Sequence, residues 1–207
     1  MNTHPTTSPR DPELDTVCDL YLTLPVQHDP ATVLSTLPDI LQIESVTALR
    51  LCCDTAPETT FMTQLTALLH PHNVALILAP TSTILLPSLP LDKIDGLHLP
   101  SSHELKALSN IHSTKRNNLQ IGCSCTTLDD AMHAGEHGAD YVAFPAEETL
   151  AITQWSFMAE LPSVADSVTN QETAQEAIDA GADFLGIPLT LDGQDLARIS
   201  TLQTLLT

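Results

Sequence analysis

Ile94-Asp95-Gly96-Leu97-His98-Leu99-Pro100, Ala139-Asp140-Tyr141-Val142-Ala143-Phe144-Pro145 and Ala182-Asp183-Phe184-Leu185-Gly186-Ile187-Pro188 are three copies of one phrase. Each is an Asp, then four mostly apolar residues, then a Pro. The Asp positions lie 45 and 43 residues apart. Periods of that size mark repeated supersecondary units. A short apolar run closed by Pro reads as a buried strand with a stop. Between copies there is room for one more strand and two helices. The period is therefore two strand–helix units, a quarter of an eight-fold barrel.

The rest of the chain keeps the alternation. Strands are expected at 18–24, 46–51, 74–79, 94–99, 119–123, 141–144, 163–165 and 184–187. Helices are expected at 30–42, from Pro57 to near His70, at 102–111, from Thr126 or Thr127 to Gly138, at 147–159, 170–180 and 193–206. The third helix, within 81–91, is interrupted by Pro87 and Pro90 and is expected to be short. Gly138 and Gly181 sit where left-handed helix caps belong. Eight strands and eight helices in strict alternation predict a parallel (βα)8 barrel of the α/β class, one domain spanning 16–207. Met1 to Asp15 is polar and Pro-containing, without an apolar signal core, and reads as a disordered leader on a cytoplasmic protein.

Charge and composition narrow the function. The chain has 207 residues, with 26 Asp and Glu against 7 Lys and Arg, a formal net charge of −19. That field repels nucleic acid and anionic membrane and opposes phosphorylated metabolites unless cations or Mg²⁺ compensate. Aromatic residues are only 3%, so the core must be aliphatic. Five cysteines inside apolar strands argue against a disulfide framework and read as buried thiols, with a soft-metal site as the alternative. His133-Ala134-Gly135-Glu136-His137 fits the His-x-x-Glu-His pattern of inverted zinc peptidases, but it falls on an outer helix far from the mouth, where five residues without their context read as chance.

Chemistry in such a barrel sits at the C-terminal ends of the strands, and there the chain resembles one family. Ile94-Asp95-Gly96-Leu97-His98-Leu99 is similar to the Ala-Asp-Gly-Val-His-Leu strand of the thiamine phosphate synthase/TenI superfamily. Ile121-Gly122-Cys123-Ser124 and Thr127-Leu128-Asp129-Asp130-Ala131 resemble its fifth strand and the helix after it. Gly138 to Val142, Leu161 to Ala165 and Ala180 to Asp183 resemble strands six to eight. The likeness runs from Val46 to Ile187. It implies a transferase of thiamine biosynthesis that joins an aminopyrimidine pyrophosphate to a thiazole phosphate, with Mg²⁺ on the leaving group. It also implies homodimer pairing.

Measured against that family, several parts are replaced. Of a Gln-Leu-Arg-Glu-Lys type run only Arg50 remains, in Ala48-Leu49-Arg50-Leu51-Cys52. Ala79-Pro80 stands where Asn-Asp would hold Mg²⁺. Pro100-Ser101-Ser102-His103 stands for Gly-Gln-x-Asp, and a hard cation prefers oxygen to His103. Ala146-Glu147-Glu148-Thr149 brings acid where a Lys belongs. Asp166-Ser167-Val168 stands where Gly-Gly would cradle a phosphate. Thr126 occupies the place of the tautomerase His.

The resemblance therefore implies Arg50 on pyrophosphate and Ser124 near the leaving-group bridge as the catalytic pair. Ser124 reads equally as a cap of the next helix. His98, His103, Asp166 and Ser167 are the expected substrate-binding residues, and His98 reads also as a hydrogen-bonded core His. Asp54, Glu58, Glu147, Glu148 and Asp166 form an acidic rim suited to a cationic ligand, or a solvated surface. No metal ligand set is assigned, and Mg²⁺ is expected only if the reaction is retained. The reading is a divergent barrel, degenerate or altered in activity, binding a phosphorylated or thiamine-related small molecule. The alternatives are an active synthase, with Asp54, Glu147 or Asp166 as substitute metal ligands, and a non-catalytic barrel binding a small molecule or a partner.

Overall fold

The computed structural model describes residues 18–110 and 119–206. The leader and Ile111, the last residue of the expected fourth helix, lie outside them. Eight parallel strands close in sequence order: β1 Asp19–Leu24, β2 Val46–Cys53, β3 Ala75–Pro80, β4 Gly96–Leu99, β5 Gln120–Ser124, β6 Tyr141–Pro145, β7 Ser163–Asp166 and β8 Phe184–Pro188. β1 pairs with β8, Leu20 against Leu185 and Leu22 against Ile187, and this closes the ring. The fold is a single-domain (βα)8 barrel.

The strands alternate between two cores, as a period of two requires. Leu20, Leu22 and Leu24 of β1 face outward into a large aliphatic shell with Leu49, Leu51, Leu76, Leu78, Val142 and Phe144. Tyr21, Ala48, Ile77, Tyr141, Ala143 and Val164 face inward and fill the barrel.

Helices α1 Pro30–Ile40, α2 Thr59–Leu69, α3 Leu128–Glu136, α4 Thr149–Met158, α5 Gln171–Asp179 and α6 Asp195–Gln203 cover the outside. Their ends follow local chemistry. Asp29 caps α1 by accepting from the Thr32 amide, with Pro30 in the first turn. Thr127 and Asp130 form a reciprocal capping box on α3. Gly138 and Gly181 adopt φ of 86° and 88° behind α3 and α5. None of these helices is long and apolar enough to cross a membrane.

Two of the eight expected helices differ. The third is a 3-10 segment, Thr83–Ser88, with Pro87 inside it. The fourth, expected as an α-helix, is a 3-10 helix over Ser102–Asn110. Its buried residues explain this: Ser102, Leu105 and Leu108 are spaced by three. A 3-10 helix eclipses residues three apart and so places all three on one edge against the core.

The repeated Asp that opened the sequence is a clamp at the N-terminal ends of the strands. Asp95 accepts from the Leu76 amide (2.8 Å), Asp140 from the Ile121 amide (2.7 Å) and Asp183 from the Ser163 amide (2.8 Å). Each Asp also donates its own amide to the carbonyl of that same residue. Every even strand from β4 onward is thus tied to the odd strand before it, which is why the period is a quarter-barrel. In the first quarter Ser45 holds the equivalent place. There the Leu20 amide goes to the Ser45 backbone carbonyl (2.7 Å), and the Ser45 hydroxyl has no partner among the described residues.

Asp140→Ala strands a buried amide on Ile121 and is expected to cost about 1–3 kcal/mol. Ser45→Ala removes an unpartnered hydroxyl and should be close to neutral. Urea denaturation of the two variants checks both, and equal losses would contradict the clamp.

Candidate functional site

Inside the barrel, toward the C-terminal strand ends, six strands bring polar residues into one network. Arg50 of β2 and Asp166 of β7 form a two-pronged ion pair, Nη2 lying 2.6 Å and 2.7 Å from the two carboxylate oxygens. The Arg50 side chain is 6% exposed and that of Asp166 21%. Burial alone disfavours the Arg50 charge, but the Asp166 carboxylate more than offsets it and holds Arg50 protonated. The guanidinium carbon also lies 5.4 Å from the centre of the Tyr21 ring.

The pocket that receives the carboxylate is cut by the backbone around it. A Cβ on Gly186 would lie 2.8 Å from Asp166 Oδ1, so only glycine leaves the space. Ser167 turns into the left-handed region (φ 68°) and donates its amide to the same Oδ1 at 3.0 Å.

Arg50 extends the network to β4. Its Nη1 lies 3.2 Å from His98 Nε2. A guanidinium only donates, so Nε2 is the acceptor and the ring proton sits on Nδ1. Nδ1 then donates to the Tyr141 hydroxyl (3.1 Å), which shares a hydrogen bond with the Tyr21 hydroxyl (2.7 Å). Ser124 at the end of β5 donates its hydroxyl to the same Nε2 at 3.0 Å. Burial, then the Arg50 charge, push the His98 pKa well below the usual imidazole value, so the ring is neutral. Burial pushes Tyr21 up to about 12 and Tyr141 well above 10. Tyr141 fits only because β5 carries Gly122, where a Cβ would fall 2.1 Å from its ring.

Of the residues singled out from sequence, Arg50, His98, Ser124 and Asp166 therefore meet in one network. Ser167 is beside it, with its amide committed to Asp166. His103 is elsewhere: it is exposed, and its ring packs 5.6 Å from that of His133 on α3. Asp54, Glu58, Glu147 and Glu148 are exposed. Sequence reasoning did not pick out Tyr21 and Tyr141. The available signal was their rarity: they are the chain's only tyrosines, both on strands at inward positions.

Two polar atoms in the same region are buried and have no partner among the described residues: Arg50 Nε and the Thr23 hydroxyl. Thr23 and Arg50 are register partners across β1 and β2. A small ligand offering an acceptor to Nε and a polar group to Thr23 would complete both.

The fit to Mg²⁺ is poor. β3 ends on Ala79 and Pro80, neither with a side-chain oxygen. Asp166 is held by Arg50. Among the described residues, one group of three or more His, Cys, Asp or Glu ligand atoms lies close together, and it is on α3 rather than at the mouth. The five cysteines are free thiols, four of them buried. Burial raises Cys18 to about 12 and Cys53 to about 11, which keeps both protonated and poor metal ligands.

The neutral His98 makes a pH prediction. Its folded pKa lies below the unfolded value of about 6.5, so below that pH the unfolded chain binds a proton that the folded chain refuses. Stability is unaffected by this group above about pH 6.5 and falls below it, by at most about 1.4 kcal/mol per pH unit. Urea denaturation between about pH 7 and pH 5 should show a steeper loss for the parent than for His98→Gln; parallel slopes would contradict a neutral buried ring.

Sequence comparison with known proteins identifies the family. The family model for thiamine monophosphate synthase matches residues 20–149. A thiamine-phosphate synthase of Rhodospirillum centenum is 31% identical over 192 residues, covering 83% of this chain and 88% of that protein. A second, of Erythrobacter litoralis, is 34% identical over 110 residues, covering 46% of this chain and 51% of that one. The thiamine phosphate pyrophosphorylase of Pyrococcus furiosus has the same fold, with a TM-score of 0.68 at 18% identity, over 93% of this chain and 96% of that one. The chain belongs to the thiamine monophosphate synthase family.

Proposed function

We propose that this barrel serves thiamine metabolism without the Mg²⁺–pyrophosphate coupling reaction, and that its mouth binds a small thiamine-related molecule. The observation that carries this reading is the two-pronged Arg50–Asp166 pair. Pyrophosphate recognition needs donors with charge to spare. Here the inward-facing guanidinium already has a carboxylate on Nη2 and an imidazole on Nη1. Drawing Arg50 away would leave Asp166 as a partly buried anion beside an incoming anion.

The surroundings support the same reading. Among the cations whose side chains are described, Arg198 is tied to Asp195 and Asp192. The exposed acids Asp54, Glu147 and Glu148 make the rim attractive to a cation rather than to a phosphate. A thiamine-type ligand carries positive charge for that rim and ring nitrogens for Arg50 Nε.

A second reading, an active synthase with relocated metal ligands, draws on the 31% identity that extends over 83% of the chain.

One assay separates them. The purified protein, given the aminopyrimidine pyrophosphate, the thiazole phosphate and Mg²⁺, is expected to form thiamine phosphate no faster than its EDTA control. Metal-dependent turnover would overturn the proposal. Thiamine at about 100 times its Kd should stabilise the fold by about 2.7 kcal/mol, a rise in Tm of roughly 5–10 °C.

A further inference from the structure

We propose that the outer face of α3 binds a zinc-class divalent metal ion through His133, Glu136 and His137, with His103 as the fourth ligand. His133 and Glu136 lie on the last turn of α3 and His137 is its C-cap residue, so the three stand at i, i+3 and i+4 at the C-terminal end of the helix. One ligand atom from each lies within 4.8 Å of the others. In a tetrahedral site with bonds of about 2.0–2.1 Å the ligand atoms are about 3.4 Å apart, so bringing these three together needs about 1 Å of movement from partly or fully exposed side chains, while His103 lies outside this group and has further to move.

Two features prepare the turn for a metal. His137 Nδ1 lies 2.8 Å from the His133 carbonyl. A carbonyl only accepts, so Nδ1 carries the proton and Nε2 presents its lone pair outward. A backbone carbonyl that fixes the tautomer in this way is the usual outer support of a metal-binding His. The opposite face of α3 is anchored: Ala131 and Ala134 are buried, and a Cβ on Gly135 would meet Leu161 at 3.1 Å. The ligand face is thereby held toward solvent.

His103 brings the fourth group from the 3-10 helix that packs beside α3. Its ring is 5.6 Å from that of His133, and the His133 and His137 rings are 4.0 Å apart. Three imidazoles and one carboxylate suit zinc, copper or nickel rather than magnesium. The bound ion would pin Ser102–Asn110 to α3, on the flank of the barrel and away from the Arg50 network.

The test uses the untagged full chain, stripped with EDTA and dialysed, titrated with Zn²⁺ by calorimetry and with Co²⁺ by visible absorption. One ion per chain is expected. His133→Ala and His137→Ala should each weaken binding at least about 100-fold, and His103→Ala about 10-fold. The variants are at partly or fully exposed positions, and circular dichroism verifies that they fold. His70→Ala should leave binding unchanged. The Co²⁺ spectrum should lack a thiolate charge-transfer band. Absence of saturable binding, affinity unaffected by His133→Ala or His137→Ala, or a thiolate band would each overturn the site. Unchanged affinity in His103→Ala would overturn the four-ligand geometry.

Discussion

A guanidinium placed inside a closed barrel must be neutralised there, and much of the interior is arranged around that requirement. Arg50 is carried inward by the alternation of β2. Asp166 reaches it from β7 because Gly186 leaves room and because Ser167 takes a left-handed turn to aim its amide at the carboxylate. The remaining donors of Arg50 decide the state of its neighbours. Because Nη1 can only donate, His98 must be neutral with its proton on Nδ1, which makes the Tyr141 hydroxyl its acceptor. One buried charge thus fixes a tautomer and shapes the space that Gly186 leaves for its partner.

The same constraint bears on function. A cation paired with an internal acid contributes little net field at the mouth, and breaking a buried pair leaves both partners worse off than before. With a formal charge of −19, the chain has few other cations to draw toward an anionic substrate. Family membership settles ancestry and fold, while the reaction depends on particular side chains at the strand ends. At those ends Ala79-Pro80 and the Arg50–Asp166 pair stand where the family resemblance would put metal and phosphate ligands.

The architecture was legible because the phrase around Asp95, Asp140 and Asp183 repeats at the quarter-barrel period. The reason for the repeat was not legible: the Asp clamps a backbone amide on the neighbouring strand, a contact that only the closed sheet creates. The helix after β4 was misread because Ser102, Leu105 and Leu108, at a spacing of three, also lie within the tolerance of an amphipathic α-helix. Arg50, His98, Ser124 and Asp166 stood out as polar residues at strand ends. That Arg50 and Asp166 satisfy each other could not be seen, since they are 116 residues apart and meet only across the barrel. The position of His103 was not legible for the complementary reason. The family resemblance set it against a ligand position after β4, whereas the tight 3-10 helix turns it toward α3.

The most direct test of the account is calorimetric titration of pyrophosphate, with Mg²⁺, into the intact protein. If Asp166 commits Arg50, no saturable binding is expected. Saturable binding that Arg50→Lys abolishes would contradict the account, because it would mean that Arg50 leaves Asp166 for a phosphate.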